Sequence, residues 1–244
     1  MKTRLIALFL LGFTVFSSGQ ENEDYLSGEG YMSIEGEMIF SFANIESPEG
    51  VNVDQNLRWS PVFNITWHYN YDVSNNFGLN VGLGIRNVGF IAKGDVYGND
   101  ENIDRIKYRT YNAGIPIGIK IGDLNQKQPF FLFGGYEFEL PFHYKEKQFD
   151  GNNKEDKSTG WFSNKTNDFQ QSVFAGLQFP NGFSLKFKYY LTEFFDSDYS
   201  ERTDVEGQEG VVRPFEDFNA NVFYFSIEWY PFQSVDYAVK SFEQ

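Results

Sequence analysis

The sequence predicts an all-β fold, a closed eight-stranded antiparallel up-and-down transmembrane β-barrel. Three observations lead there. Residues 130–144, FFLFGGYEFELPFHY, alternate with period two, setting Phe130, Leu132, Gly134, Tyr136, Phe138, Leu140, Phe142 and Tyr144 on one face and Gly135, Glu137, Glu139 and His143 on the other. Aromatic residues make up 19% of the chain, more than a soluble domain has use for, and a strand-built membrane wall uses them as girdles at the headgroups. The connections between such stretches alternate short and long, as in a barrel with tight turns at one end and loops at the other.

The chain opens with Lys2 and Arg4, an apolar run from Leu5 to Phe16, and Ser17, Ser18 and Gly19 before Gln20. A basic start, an apolar core too short to span a bilayer and small residues at its end predict a signal peptide over 1–19. An acidic leader, 20–30, follows, then the barrel over 31–232 and a tail over 233–244, with both mature termini on the periplasmic side. There is no cysteine, so neither a disulfide framework nor a lipid-bearing N-terminal cysteine is available. The 20 Lys and Arg against 34 Asp and Glu give a net charge of −14, which excludes nucleic acid as a partner held by phosphate attraction.

Eight strands follow in order. The first, Tyr31 to Asn44, sets Met32, Ile34, Met38, Phe40 and Phe42 against Ser33, Glu35, Glu37 and Ser41. The second, Arg58 to Asp72, sets Phe63, Ile65, Trp67, Tyr69 and Tyr71 against Asn64, Thr66, His68 and Asn70, with Pro61 near its start where a missing donor does least harm. The third, Phe77 to Ala92, opposes Leu79, Val81, Leu83 and Ile85 to Gly78, Asn80, Gly82, Gly84 and Arg86. The fourth, Arg105 to Gly122, opposes Tyr111, Ala113, Ile115, Ile117, Ile119 and Ile121 to Thr110, Asn112, Gly114, Gly118 and Lys120. The fifth is 130–144. The sixth, Asp168 to Pro180, ends at Pro180-Asn181-Gly182, a hairpin signal. The seventh, Phe183 to Phe195, alternates Leu185, Phe187 and Tyr189 with Ser184, Lys186 and Lys188; the eighth, Asn219 to Phe232, alternates Phe223, Phe225, Ile227 and Trp229 with Tyr224, Ser226 and Glu228. An even count closes the sheet and leaves no edge for lipid to meet.

Volume decides which face points inward. The apolar faces hold more bulky side chains than an eight-stranded interior can take, whereas the Gly, Ser, Thr and Asn of the other face suit the cramped side. The lumen is then a polar network of Glu35, Glu37, His68, Arg86, Lys120, Glu137, Glu139, Lys186, Lys188 and Glu228. Buried unpaired charges are too costly to keep, which predicts a paired cluster among Lys186, Lys188, Glu228, Glu35 and Glu37, a structural plug and not a conduction path.

With two histidines and no cysteine, a nitrogen or sulfur metal site lacks ligands, and no cofactor is expected. His143, near Asp150 and Asp168 in sequence, is the candidate for hydrolysis at the barrel rim, which competes with the non-enzymatic reading. A small porin and a soluble lipocalin-like binder compete with it as well. Lys107 and Arg109 fall on the outward parity of the fourth strand above its apolar band, where they would meet phosphates of lipopolysaccharide. Gly94 to Asp104, GDVYGNDENID, gathers oxygen ligands as a calcium loop does, without the hand-loop spacing. The loops Asp150 to Asn167 and Asp196 to Phe218, with Trp161, Phe162 and Phe215, are where a protein partner would dock, together with the tail.

The fourth strand, Tyr111 to Asp123, YNAGIPIGIKIGD, with its tyrosine, its Ile115-Pro116 pair and alternating aliphatics around Lys120, resembles PorT-like outer-membrane β-barrel proteins of Gram-negative bacteria. The glycine-rich third strand and the signal peptide are similar too. The resemblance implies an OmpA/OmpX-like eight-stranded barrel of the outer membrane and, for a few members, a part in the type nine secretion machinery. Many such barrels stop at their last aromatic strand residue; this chain continues past Phe232, which suggests a periplasmic tail or a protein contact.

Overall fold

The computed structural model describes residues 30–46, 53–94, 103–124, 129–151, 153–180, 182–205 and 208–233. The signal peptide, the leader before Gly30, the tail beyond Gln233 and most of the Gly94 to Asp104 loop lie outside them. Among the described residues every regular element is a strand: β1 (Gly30–Glu46), β2 (Gln55–Asn56), β3 (Arg58–Ser60), β4 (Ile65–Ser74), β5 (Phe77–Lys93), β6 (Arg105–Asp123), β7 (Phe130–Asp150), β8 (Asn153–Trp161), β9 (Gln170–Gln178), β10 (Phe183–Tyr190), β11 (Glu201–Val205), β12 (Gln208–Val212) and β13 (Asn219–Gln233). The order β13-β10-β9-β7-β6-β5-β4-β1 runs antiparallel, and β1 pairs back onto β13 from Ser33–Gln233 to Glu46–Asn219. That is a closed ring of eight up-and-down strands. Both described chain ends lie at the end that carries the short connections after β4, β6 and β9.

The faces divide as period two requires. Phe138, Ile117 and Phe225 are 48%, 52% and 54% exposed on the outer wall, whereas Glu137 and Lys188 on the inner one are at most 1% exposed. Toward the loop end this polarity reverses. On β1, Ala43 and Ile45 turn inward while Asn44 and Glu46 face out; on β6, Ile106 and Tyr108 are buried and Arg105, Lys107 and Arg109 take the outer side. The barrel therefore changes from an inside-out wall into an ordinary sheet with an apolar interior partway along its length. On β7 the outward apolar band covers 130–140, about the eleven residues a tilted strand needs to cross a bilayer. The remainder of β7 stands beyond it.

The apolar interior at the loop end is a plug. Ile39, Phe90, Tyr108, Tyr144, Phe194, Phe195, Phe215 and Phe218 pack there with their neighbours at 0–2% exposure. Phe195 stacks on Phe215 at 4.2 Å and meets Tyr108 edge-on at 5.1 Å. Offset and edge-on pairs at such distances contribute about 0.5–1.5 kcal/mol each beyond the area they bury. Phe215, which its place in a long connection marks as a docking residue, is thus a core residue. The seventh strand ends at Tyr190 and not Phe195, because the chain bends there to drive Phe194 and Phe195 inward.

Three further departures have local causes. The second strand is interrupted at 61–64, where Pro61 offers no N–H and Phe63 takes φ 64°. Asn64 replaces the lost ladder: its Nδ2 donates to the carbonyls of Ser60 (2.8 Å) and Glu37 (3.1 Å), and its Oδ1 accepts from the Asn87 N–H at 2.8 Å. On β7 the register with β6 slips between Tyr111–His143 and Asn112–Pro141, leaving Phe142 as an extra residue. This bulge carries His143 outward and buries Tyr144, the opposite of strict alternation. Last, the stretch 150–167 is not a loop in its first half. Strand β8 returns along β7 from Asn153 to Trp161, a hairpin raised above the wall.

Candidate functional site

Inward residues of seven strands meet in the middle of the lumen. Lys186 on β10 lies 3.5 Å from Glu35 and 3.1 Å from Glu37 on β1, and also contacts Glu228 on β13. Arg86 on β5 reaches Glu37 at 3.0 Å, Thr66 Oγ1 at 3.0 Å and Glu137. Lys188 joins Glu137 at 2.7 Å and contacts Glu139, whose carboxylate also accepts from the Tyr190 hydroxyl at 2.9 Å and Asn112 Nδ2 at 2.6 Å. His68 Nε2 is 3.2 Å from Glu35. Closer to the short connections, Lys120 pairs with Asp72 at 2.6 Å and donates to the Tyr31 hydroxyl at 2.9 Å.

All ten residues proposed for the lumen lie inside the barrel with at most 7% exposure. Their grouping differs in one respect: Lys188 does not join Lys186 but bridges Glu137 and Glu139 on β7, two strands away on the other side of β10 from β1. β10 neighbours β13 on one side and β9 on the other, so Lys186 and Lys188, one pleat repeat apart, reach toward different acids. Alternation does not single out Asp72 as the partner of Lys120, because Asp72 stands next to a turn. Glu35, Glu37 and Glu228 come within 4.8 Å of one another, the spacing of a metal site, but the Lys186 ammonium already sits among them.

Below the network the lumen widens. A small cavity of about 40 Å³ opens toward the short connections and is lined by Tyr31, His68, Asn80, Lys120, Phe131 and Phe174. Gly176 makes room for these inward aromatics, because a Cβ there would collide with the Phe133 ring. The cavity does not continue through, since the charge layer caps it and the apolar plug lies beyond.

A second feature lies on the outer face of β6, β7 and β8 just past the apolar band. Tyr111, Phe142, His143 and Trp161 form an aromatic row, with Phe142 and Trp161 at 6.0 Å and His143 and Trp161 at 4.8 Å. His143 Nε2 lies 3.1 Å from Thr159 Oγ1; its neighbour is that hydroxyl, not Asp150 or Asp168. Immediately above, cross-strand partners share the outer face in rows: Arg109 with Lys145, Lys107 with Lys147 and then Lys157, and Arg105 with Phe149 and then Lys154. Arg105 and Lys107 each sit 5.0 Å over the Phe149 ring, and Arg109 sits 5.3 Å over Tyr111. Among the described residues, the ion pairs outside the lumen are Lys93–Asp54 and Arg213–Glu216, so none of these seven cations has a carboxylate partner. Partial burial, then Arg109, Lys147, Lys157 and Lys154, hold the Lys145 ammonium below the usual lysine range.

Lys107 and Arg109 therefore occupy the outward positions their parity indicated, within a larger group. Arg105 shares their parity on β6; the other four cations escape a reading by alternation because the Phe142 bulge reverses the parity of Lys145 and Lys147, and because β8 is too polar to announce itself as a strand. A signal is present: Arg105, Lys107, Arg109 and Lys145, Lys147 each recur at alternate positions.

No family model matches the chain, and no curated protein matches it. Solved structures do. The outer membrane protein OprG from Pseudomonas aeruginosa aligns with TM-score 0.37 at 10% identity over 84% of this chain and 96% of that one. Ail, the attachment invasion locus protein of Yersinia pestis, gives 0.34 and 13% over 84% and 99%, and the E. coli outer membrane protein W gives 0.32 and 12% over 85% and 100%. The fold assignment itself rests on the closed ring of strand pairings, and that ring is an eight-stranded antiparallel β-barrel.

Proposed function

We propose that this chain is a non-enzymatic barrel of the bacterial outer membrane, exported by its N-terminal segment, with both termini periplasmic and its work done at its extracellular surfaces, in adhesion or assembly. The observation that carries this reading is the double closure of an inside-out barrel. Exposed Ile, Leu and Phe around the wall need acyl chains to cover them, and a layer of ion pairs followed by an aromatic plug leaves no route through the middle. A carrier of ions or solutes would keep both of these open. Reconstituted into planar bilayers, the full chain is expected to give no conductance steps; regular steps from folded protein would overturn the reading in favour of a small porin.

The resemblance of Tyr111–Asp123 to PorT-like barrels favours assembly over adhesion, and a type nine secretion partner is the finer form of the proposal. Removing residues 234–244 tests that form. Loss of secreted cargo with the barrel still inserted supports assembly, whereas unchanged secretion with lost surface attachment in cells lacking the protein assigns the role to adhesion.

A further inference from the structure

We propose that the outward face of the β6–β7–β8 sheet is a binding site for the phosphates of outer-leaflet glycolipid. The inference deepens the membrane reading above and depends on it. Seven cations, Arg105, Lys107, Arg109, Lys145, Lys147, Lys154 and Lys157, share one face of three strands in a chain whose net charge is −14. Among the described residues no carboxylate forms an ion pair with any of them. Glu146 points the other way and is held by Tyr144 and Gln148, and Asp156 pairs across from Gln148 on the inner side. Gathering like charges on adjacent strands is unfavourable, since Arg109 with Lys145 and Lys107 with Lys147 and Lys157 stand directly opposite one another. A sheet that keeps such rows without internal partners is complementary to an external anion.

Position selects the anion. The patch faces sideways, along the wall, and begins one row above Tyr111, Phe142, His143 and Trp161, the aromatics that mark the headgroup level. A soluble polyanion would be met by residues on the crown; a lateral patch at this height meets the phosphates of neighbouring lipids. Phe149 holds the Arg105 and Lys107 side chains against the wall and Tyr111 holds that of Arg109, so the cations follow the wall from the aromatic row upward. Guanidinium and ammonium groups together suit phosphate, the first by two parallel bonds and the second as a point charge.

The test compares two lipids and two proteins. The full chain and its Lys107→Gln, Arg109→Gln, Lys145→Gln, Lys147→Gln variant are extracted in mild detergent, offered bisphosphorylated or dephosphorylated lipid A, and weighed intact by native mass spectrometry. Each cation beside an anionic lipid surface is worth about fivefold in partition, so the four changes should weaken retention of the bisphosphorylated lipid by more than about a hundredfold. The dephosphorylated lipid should be retained weakly by both. Equal retention by both proteins, or indifference to the phosphates, overturns the proposal, as does displacement of lipid A by dextran sulfate at equal phosphate and sulfate charge, which would assign the patch to soluble polyanions. A Lys147→Gln, Lys157→Gln pair at outer-face positions serves if the fourfold variant does not fold. Detergent-dependent extraction of either protein reports on the membrane reading separately, so the patch can fail while the barrel stands.

Discussion

At the scale of single residues, the lumen leaves almost no tolerance, and Gly114 shows why. A Cβ at this position would collide with Glu137 Oε1 and stand 3.1 Å from Glu139 Cγ, in the carboxylates that hold Arg86 and Lys188. Gly114→Val must displace Glu137, and breaking a buried ion pair costs about 3–5 kcal/mol. The variant is expected to unfold at distinctly lower urea concentration than the native chain, while Ala113→Val, one residue away on the lipid side, is expected to change little. His143, beyond the membrane-crossing part of β7, offers a second residue-scale readout. Slight burial, then Arg109, Lys145 and Lys157, lower its imidazole from the usual 6.5, so it is held neutral at pH 7. Replacing Arg109 and Lys145 by Gln should move its titration back up toward 6.5. With two histidines in the chain, ring proton resonances assigned by a His68→Gln variant measure this directly, and an unmoved titration would show that the cations do not act on it.

At the scale of elements, period two makes the wall legible and bulges hide the rim. Alternation alone sorts Glu137 from Phe138 and Lys188 from Phe187, because a strand buried on one face and greased on the other has no freedom of register. It fails where the chain departs from a regular pleat: at Pro61 to Asn64, where a side chain replaces ladder bonds, and at Phe142, where an inserted residue reverses every later position. It fails also for Phe194, Phe195 and Phe215, whose burial depends on how a long connection folds back, something no local pattern encodes. The Phe142 bulge yields a prediction. Because Phe142 is the surplus residue, deleting it restores regular pairing and leaves Tyr144 inward and Lys145 outward. The deletion should lose stacking on Tyr111 and Trp161 yet still give a folded barrel by its resistance to unfolding in detergent at room temperature. Deleting Ile115, on a regular stretch of β6, turns Tyr108 out and Arg109 in, and should abolish folding. If both deletions behave alike, the register slip is not what sets the faces.

At the scale of the whole molecule, the two closures act in series, and that arrangement is itself testable. The charge layer is held by strands on all sides of the ring, whereas the plug is formed by Phe194, Phe195, Phe215 and Phe218 of the connection between β10 and β13 packing onto inward residues at the loop ends of β1, β5, β6 and β13. The layers share no ion pair and meet where Tyr190, in the aromatic cluster, donates to Glu139, so substitutions that leave Tyr190 in place weaken one while sparing the other. Phe195→Ala with Phe215→Ala removes the stacked pair and about 3–5 kcal/mol for each buried ring, loosening the loop end without touching the network. Arg86→Ser, Glu137→Ser, Lys188→Ser and Glu139→Ser remove two cations with two carboxylates from the charge layer and widen the lumen above the existing cavity. Each set alone is expected to remain silent in planar bilayers, because the remaining layer still fills a barrel that is just wide enough for its own side chains. Combined in a chain that still folds, they should produce small cation or anion steps. Conductance from the aromatic pair alone would mean that the ion pairs do not seal the lumen, and the barrel would then be no closed pillar at its central layer.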